Sequence, residues 1–588
     1  METVVLNGSD LSRHQVVKVA RGLAKVDIVT DKLKESRDFV EQKVAEGRIV
    51  YGITTGFGSN VDKRIAADDA AALQVNLLRS HACGAGKFFS TDVARAIMVI
   101  RLNTLLKGFS GIREQTVRQL EFLINNGITP LIPEQGSVGA SGDLCPLSHM
   151  ALPLLGEGEI EYNGKQYATA DFLKTEEARK IGFKPVSLSY KEGLALNNGT
   201  TVMTAVATMA LEKAERLFRV SMLSTALLFE ALGARTDAFA FAKIHQARNH
   251  SGQIKTAEYL TKLLSGSKCV GITQQSIVSH VLKNNLVKNS FVIEELRKID
   301  AVKEADKQEQ ISDKILNTLR ANDEYNAADI LAFAKKKWKP QDSYSIRCAP
   351  QVFGASLAAI EHVRSIVDGE LNAACDNPLI FASDDKAISG GNFHGQPIAL
   401  VMDYLKLAVS EIGDITERQI CKMVDSATND CLPSFLVGNS GLNSGLMIVQ
   451  YAAAAIASEN KVLVHPASAD SIPTCENTED HVSMGTTAAR QALEIAGNVE
   501  KINAIAIMVG LYAMSLRLEQ FASVKMPSTP AEVMARPTAE FYAAIKQTSP
   551  IYDEAHGFLK VDRFLAPEIR ALRDRLPEFE KIAEKYLG

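Results

Sequence analysis

Two stretches of this sequence, residues 446–464 and much of 485–516, are apolar or small on every side of a helical repeat. A helix without a polar face must be surrounded by protein, so the chain needs a central bundle of long helices, continuing into an oligomer, to bury them. The length permits this: 588 residues allow up to about four domains and a large core without covalent staples. Proline is scarce at 18 residues and aromatics make up only 6%, which leans the chain further toward helix. Apolar positions three and four apart predict helices over 31–46, 66–80, 91–107, 113–125 and 397–424. Strand signals are sparse. Residues 158–167 alternate around Asn163-Gly164 and predict a small hairpin. Residues 290–340 are rich in Lys, Glu and Asp, the pattern of a solvated helical insertion.

Several classes of function are excluded. With 65 basic against 69 acidic residues, the net charge of -4 offers no field to neutralise phosphates, so no nucleic-acid partner is expected. The eight cysteines lie no closer than ten residues apart, which rules out C-x-x-C zinc or redox spacing and a disulfide framework. The first residues carry neither a basic nor an apolar leader, and a cytoplasmic, thiol-reducing location is the expectation. Residues 193–211 and 431–458 are uncharged, but Asn197, Asn198 and the polar run 438–445 interrupt them, so neither is expected to span a membrane. Tyr51-Gly-Ile-Thr-Thr-Gly-Phe-Gly58 lacks the third glycine of a dinucleotide loop. Gly136-Ser-Val-Gly-Ala-Ser-Gly142 lacks the Gly-Lys-Ser/Thr ending of a phosphate loop, and Asp143 stands where a nucleophile elbow needs glycine. His245 and His250 form no H-E-x-x-H pair. No metal or nucleotide cofactor is expected.

What remains is Gly136-Ser-Val-Gly-Ala-Ser-Gly-Asp-Leu-Cys-Pro-Leu-Ser-His149. By itself Ala140-Ser141-Gly142 reads as a tight turn before a helix starting near Asp143. Its company changes the reading: Tyr51 to Gly58, Gly193-Leu-Ala-Leu-Asn-Asn-Gly-Thr200, Gln341-Asp-Ser-Tyr-Ser-Ile-Arg347, Ser389-Gly-Gly-Asn-Phe-His394 and Ala457-Ser-Glu-Asn-Lys461 follow in one order. Together these segments resemble the aromatic amino acid ammonia-lyases, most of all the histidine branch. The 290–340 insertion and the tail after about 525 fall outside the resemblance or are only loosely similar.

The resemblance implies an all-α, fumarase/aspartase-like long-helix bundle and a homotetramer whose active sites are shared between subunits. Three regions are expected: 1–200 bearing the reactive tripeptide, a central bundle over 201–525, and a helical tail over 526–588. In such enzymes Ala-Ser-Gly closes on itself and loses water to give 4-methylidene-imidazol-5-one, the implied cofactor. The residues suit that chemistry: Gly142 permits close approach of its nitrogen to the Ala140 carbonyl, and Ser141 has a β-hydroxyl to eliminate. The product is an electrophile that captures the substrate amine and makes it a better leaving group.

The resemblance further implies Tyr51 as the base, its phenol lowered from about 10 by hydrogen bonds or helix dipoles, with Tyr344 as the other candidate. Arg347 matches a carboxylate clamp, and Asn198 and Gln341 match polar residues around the prosthetic group and substrate. Phe393 matches an aromatic packed on the ring. Ser80-His81 stands at the selectivity position and Glu459 beside the side-chain pocket, a pair suited to imidazole. Glu479-Asp-His481 also looks like the histidine branch, whereas Thr478 replaces a usual glutamine. The implied reaction is L-histidine to trans-urocanate and ammonia. The alternatives are a tyrosine or phenylalanine ammonia-lyase, an aminomutase, and an inactive helical scaffold.

Overall fold

The computed structural model describes residues 2–56, 58, 65, 69–302, 310–336, 341–523, 525–548 and 561–588. The chain forms two compact units that interleave along the sequence. The first comprises Met1–Lys213, Ile360–Leu407 and Leu463–Glu494; the second comprises Ala214–Ala359, Ala408–Val462 and Ile495–Gly588. The expected regions 1–200, 201–525 and 526–588 follow the order of the chain, whereas the long helices each contribute a segment to both units.

The helices that build the site and the bundle are labelled in chain order: α1 (Ala70–His81), α2 (Leu144–Ala151), α3 (Glu192–Asn197), α4 (Thr201–Leu232), α5 (Tyr344–Arg347), α6 (Ala349–Glu370), α7 (Gln396–Val424), α8 (Met447–Leu463) and α9 (Gly485–Ser523). Helices Leu33–Ala45, Thr91–Leu105 and Glu114–Asn125, with α1, answer the four N-terminal predictions within a few residues, although residues 66–68 lie outside the described residues. Thr91–Leu105 is buried almost end to end, with Ile97, Met98, Val99 and Leu102 fully covered.

Strands are few and short. Glu2–Leu6 pairs in parallel with Ala24–Ile28 across the helix Arg13–Ala20, a pairing the sequence reading did not anticipate. The expected hairpin is present as Glu159–Tyr162 and Lys165–Ala168. Its turn residues Asn163 and Gly164 have φ of 50° and 74°, as a type I′ connection requires. Of the two uncharged stretches, 193–211 is split into α3 and the start of α4, and 431–458 is irregular until α8 begins. Among the described residues α9 alone is long and apolar enough to cross a membrane; 83% of its apolar window is buried inside the protein.

In the second unit, the all-round apolar character of α9 is matched by close packing on α4. A Cβ at Gly510 would come 3.1 Å from Leu227 Cδ2. Two buried polar pairs fix register: Ser221 Oγ donates to Asn503 Oδ1 at 2.9 Å, and Thr225 Oγ1 donates to Gln419 Oε1 of α7 at 3.0 Å. The charged 290–340 segment differs from expectation. It forms helices Ser290–Ala301, Asp313–Ala321 and Tyr325–Lys336, but each hides an apolar face including Leu296, Leu319 and Leu331. It is solvated on one side and packed on the other; residues 303–309 and 337–340 lie outside the described residues. Near the C-terminus Phe541 and Phe579 meet edge to face at 5.3 Å.

Candidate active site

The tripeptide sits in a loop closed on itself within the first unit. Gly139 and Gly142 form an antiparallel bridge around Ala140 and Ser141, and Gly142 also pairs with Gly199. Asp143 N donates to Gly199 O at 2.8 Å, and Gly199 N donates to Ser141 O at 3.3 Å. Position 142 must be glycine twice over. Its φ is +70°, and a Cβ there would lie 2.2 Å from the carbonyl carbon and oxygen of Gly199. Ala140 packs under Val482 and Met484, and Met484 N donates to Val138 O at 3.0 Å.

Asp143 anchors the loop from below. Its Oδ1 accepts from Ser137 Oγ at 2.9 Å and from the Thr486 hydroxyl, and its Oδ2 accepts from Met203 N at 2.8 Å. That last donor belongs to the first turn of α4, so the fully buried carboxyl caps a helix N-terminus. Burial raises its pKa against these hydrogen bonds.

Above the loop opens a cleft of about 600 Å³. One face of α1 supplies Leu73, Asn76, Leu77, Ser80 and His81; Tyr51, Ser141, Asn198, Cys475 and Glu479 supply most of the polar remainder. Ser80 Oγ lies 3.1 Å from Leu77 O and 3.0 Å from His81 Nδ1. A hydroxyl has one hydrogen, so donation to Leu77 leaves Ser80 to accept from Nδ1–H, which frees His81 Nε2 as an acceptor. Burial lowers the His81 pKa and keeps the ring neutral at neutral pH.

Tyr51 corrects an expectation. Its oxygen accepts from Gly58 N at 3.3 Å, yet the phenol pKa is raised, first by burial and then by the charges of Glu479 and Cys475. The cleft holds a carboxylate near the phenol where a lowered pKa would need a cation. Phe57 of the same motif lies outside the described residues.

Asn198 caps α3 and is buried, and among the described residues its Oδ1 has no hydrogen-bond partner. An unpaired buried acceptor costs ~1–3 kcal/mol, so this oxygen is poised for a ligand. Its position is imposed by several neighbours. Gln74 Oε1 accepts from Gly193 N at 2.9 Å, the fully buried Lys191–Asp376 pair closes at 2.6 Å, and Arg101 donates to Ala195 O.

Glu479 and Cys475 line the cleft although the sequence reading did not place them in the site. Ser141 Oγ donates to Glu479 Oε1 at 2.8 Å. The Glu479-Asp-His481 pattern was the available signal for the first; nothing in the sequence marked the second. Cys475, Glu476 and Asn477 run consecutively at φ of 50°, 55° and 63°, a left-handed turn that costs roughly 1–2 kcal/mol per residue. Thr478, where a glutamine was expected, is exposed.

The remaining predicted residues lie elsewhere. Phe393 is half-buried in the loop before α7 and does not line the cleft; the next residue, His394, lies with its ring 5.3 Å from that of His481. Gln341, Tyr344, Arg347 and Glu459 belong to the second unit. Gln341 and Glu459 are exposed, and the Tyr344 ring is 70% exposed. The Arg347 guanidinium stacks 4.4 Å over that ring, and its buried Nε has no partner among the described residues. Gln419 Nε2 holds the turn by donating to Ser345 O at 3.0 Å. Among the described residues no group of three or more His, Cys, Asp or Glu is placed to hold a metal ion.

Comparison with known proteins bears on this geometry. The family described as "Aromatic amino acid lyase" matches residues 11–288 and 295–547, which takes in most of the charged 290–340 segment and passes the 525 boundary where the resemblance was expected to fade. The histidine ammonia-lyase of Symbiobacterium thermophilum is 41% identical over 586 residues, covering 99% of this chain and 98% of that protein. Tyrosine aminomutase from Streptomyces globisporus superposes with a TM-score of 0.81 at 33% identity, covering 99% of both chains. Histidine ammonia-lyase from Trypanosoma cruzi superposes at 0.79 with 32% identity, covering 100% of this chain and 96% of that one.

Proposed function

The chain belongs to the aromatic amino acid lyase family, and from that premise we propose that it removes ammonia from L-histidine to give trans-urocanate. It is a carbon–nitrogen lyase. The observation that carries histidine as substrate is the wall of the cleft, where the Nε2 of neutral His81 and the Glu479 carboxylate offer the N–H of an imidazole hydrogen-bond acceptors. A phenyl ring would leave these groups unpaired, and mismatches of that kind discriminate strongly.

The residues present fit a prosthetic group made from Ala140, Ser141 and Gly142. Gly142 has no Cβ to obstruct closure, the Ser141 hydroxyl is already oriented by Glu479, and the free Asn198 oxygen faces the same cleft. Once formed, 4-methylidene-imidazol-5-one supplies an electrophile for the substrate amine. Tyr51 takes the β-proton. Its phenol is held protonated by burial, and the entry of a substrate ammonium brings the positive charge that favours phenolate.

Arg347 clamps the substrate carboxylate through the fork of its guanidinium, with Tyr344 on the same turn and Gln341 in the segment that leads into it. Phe393 packs against the ring and Glu459 faces the imidazole side of the pocket. The exposure of Gln341, Tyr344 and Glu459 in a single chain supports a homotetramer in which neighbouring copies complete each site. So do the uncovered apolar residues Leu400, Tyr404 and Leu407 along α7, and Ile448, Tyr451 and Val462 along α8. All eight cysteines are free, which suits a cytoplasmic enzyme.

The likeness to tyrosine aminomutase supports a second reading, in which ammonia returns to the β-carbon. A substrate panel decides between them. Purified protein is incubated with histidine, tyrosine and phenylalanine, and ammonia, unsaturated acid and β-amino acid are measured. Urocanate from histidine is expected. Release of coumarate from tyrosine with none of urocanate overturns the choice of substrate, and a β-amino acid product establishes the second reading.

A further inference from the structure

The carboxylate facing Ser141 is aimed from a residue outside the cleft. Thr474 Oγ1 donates to Glu479 Oε2 at 2.7 Å while Ser141 Oγ donates to Oε1 at 2.8 Å. Glu479 is therefore strung between two hydroxyls, one on each oxygen. The backbone repeats the pairing: Thr474 N donates to Glu479 O at 3.1 Å, and Glu479 N donates to Thr474 O at 3.3 Å. Between these bonds run the three left-handed residues Cys475, Glu476 and Asn477. Such a run persists only where surrounding contacts over-determine it. Thr474 is half-buried and is not among the residues lining the cleft.

We propose that Thr474 is a positioning residue: by holding one oxygen of Glu479 it keeps the other on the Ser141 hydroxyl, in the geometry from which the tripeptide loses water. The proposal rests on the reading that Ala140-Ser141-Gly142 closes into the prosthetic ring. That closure balances without oxidant or reductant. Gly142 N bonds to the Ala140 carbonyl carbon, and the first water carries away the Ala140 oxygen with the amide hydrogens of Ser141 and Gly142. The second water carries away the Ser141 hydroxyl with the hydrogen of Ser141 Cα. Glu479 addresses that hydroxyl, so its orientation governs the second loss.

The test uses the full chain, newly synthesised, and follows the mass of the tryptic peptide spanning residues 119–165. In wild-type protein this peptide becomes lighter by two waters. Thr474→Val keeps the shape and removes the hydroxyl; a hydrogen bond to a charged group is lost, and the mass change slows about tenfold. Thr474→Ser keeps the hydroxyl and stays near the wild-type rate, a rescue by the smaller side chain that a merely space-filling role for Thr474 would not give. Circular dichroism checks the fold of each variant. If Thr474→Val does not fold, the pair Thr474→Ala and Thr474→Ser decides: a slow alanine variant beside a fast serine variant supports the proposal, and equal rates overturn it. Maturation of Thr474→Val at the wild-type rate overturns it. An unmodified peptide in wild-type protein overturns the reading of the tripeptide and this inference together, whereas a maturing wild type with indifferent variants overturns this inference alone.

Discussion

The loop carrying Ser141 and the turn carrying Arg347 are equally short motifs, but the chain treats them differently. Around Ser141 the contacts are complete: Gly199, Asp143, Met484 and Glu479 hold the loop on several sides. At α5 the Tyr344 ring is 70% exposed and the buried Arg347 Nε lacks a partner. A reactive centre has to be rigid before it reacts, because each distorted ångström costs orders of magnitude in rate. A clamp for a diffusing substrate can wait for its surroundings. On the proposed reading, the difference teaches that one chain contains what is needed to make the electrophile, while gripping the substrate requires assembly.

Four experiments break or sharpen this contrast. Ser141→Ala removes the hydroxyl that must leave, so turnover should drop by about 10³-fold or more and the 119–165 peptide should keep its full mass, while subunit assembly measured by sedimentation is unaffected. Substantial remaining activity would place the chemistry outside the loop. Tyr51→Phe should lower kcat about 100-fold with peptide mass unchanged, since the phenolic oxygen serves the substrate and not the loop. A shift in mass with normal turnover would invert that assignment. Arg347→Lys should raise KM roughly tenfold and leave maturation intact, because lysine cannot offer two parallel donors. An effect on maturation would show that the two regions are not separable.

The mildest effect concerns His81. Its folded pKa lies below the usual 6.5, so the unfolded chain takes up a proton first as pH falls. Stability contributed by the neutral ring is therefore present above about pH 6.5 and is lost on acidification below it. Thermal melts of wild type and His81→Gln should converge in the acid direction, and parallel curves would remove His81 from the account.

The helices were legible because periodicity is local. Residues 91–107 and 113–125 predicted Thr91–Leu105 and Glu114–Asn125, and the largely apolar 485–516 stretch predicted a buried rod. The parallel pair Glu2–Leu6 and Ala24–Ile28 was not legible, since five-residue strands separated by a helix give no turn signal. Charge counting misread residues 290–340, where Leu319 and Leu331 face inward among the lysines. Within the site, motifs identified Tyr51, His81, Ser141 and Asn198 as cleft residues. They failed for Cys475, whose place depends on a left-handed turn that no residue pattern announces. The raised Tyr51 pKa was missed for a related reason: it depends first on burial and then on the charge of the distant Glu479, neither of which a local motif announces.

The bond between Ser141 and Glu479 joins positions 338 residues apart. The loop's other ties reach just as far, through Ser483, Met484 and Thr486. A ribosome delivers Ala140-Ser141-Gly142 early, yet more than three hundred further residues must emerge before the loop acquires its lid. On the proposed reading of the tripeptide, maturation of the electrophile is thus a receipt for near-complete synthesis. On that reading a chain cut short before Glu479 carries Ala140-Ser141-Gly142 as an ordinary, harmless turn, and the cell is spared an unguarded electrophile on every unfinished copy.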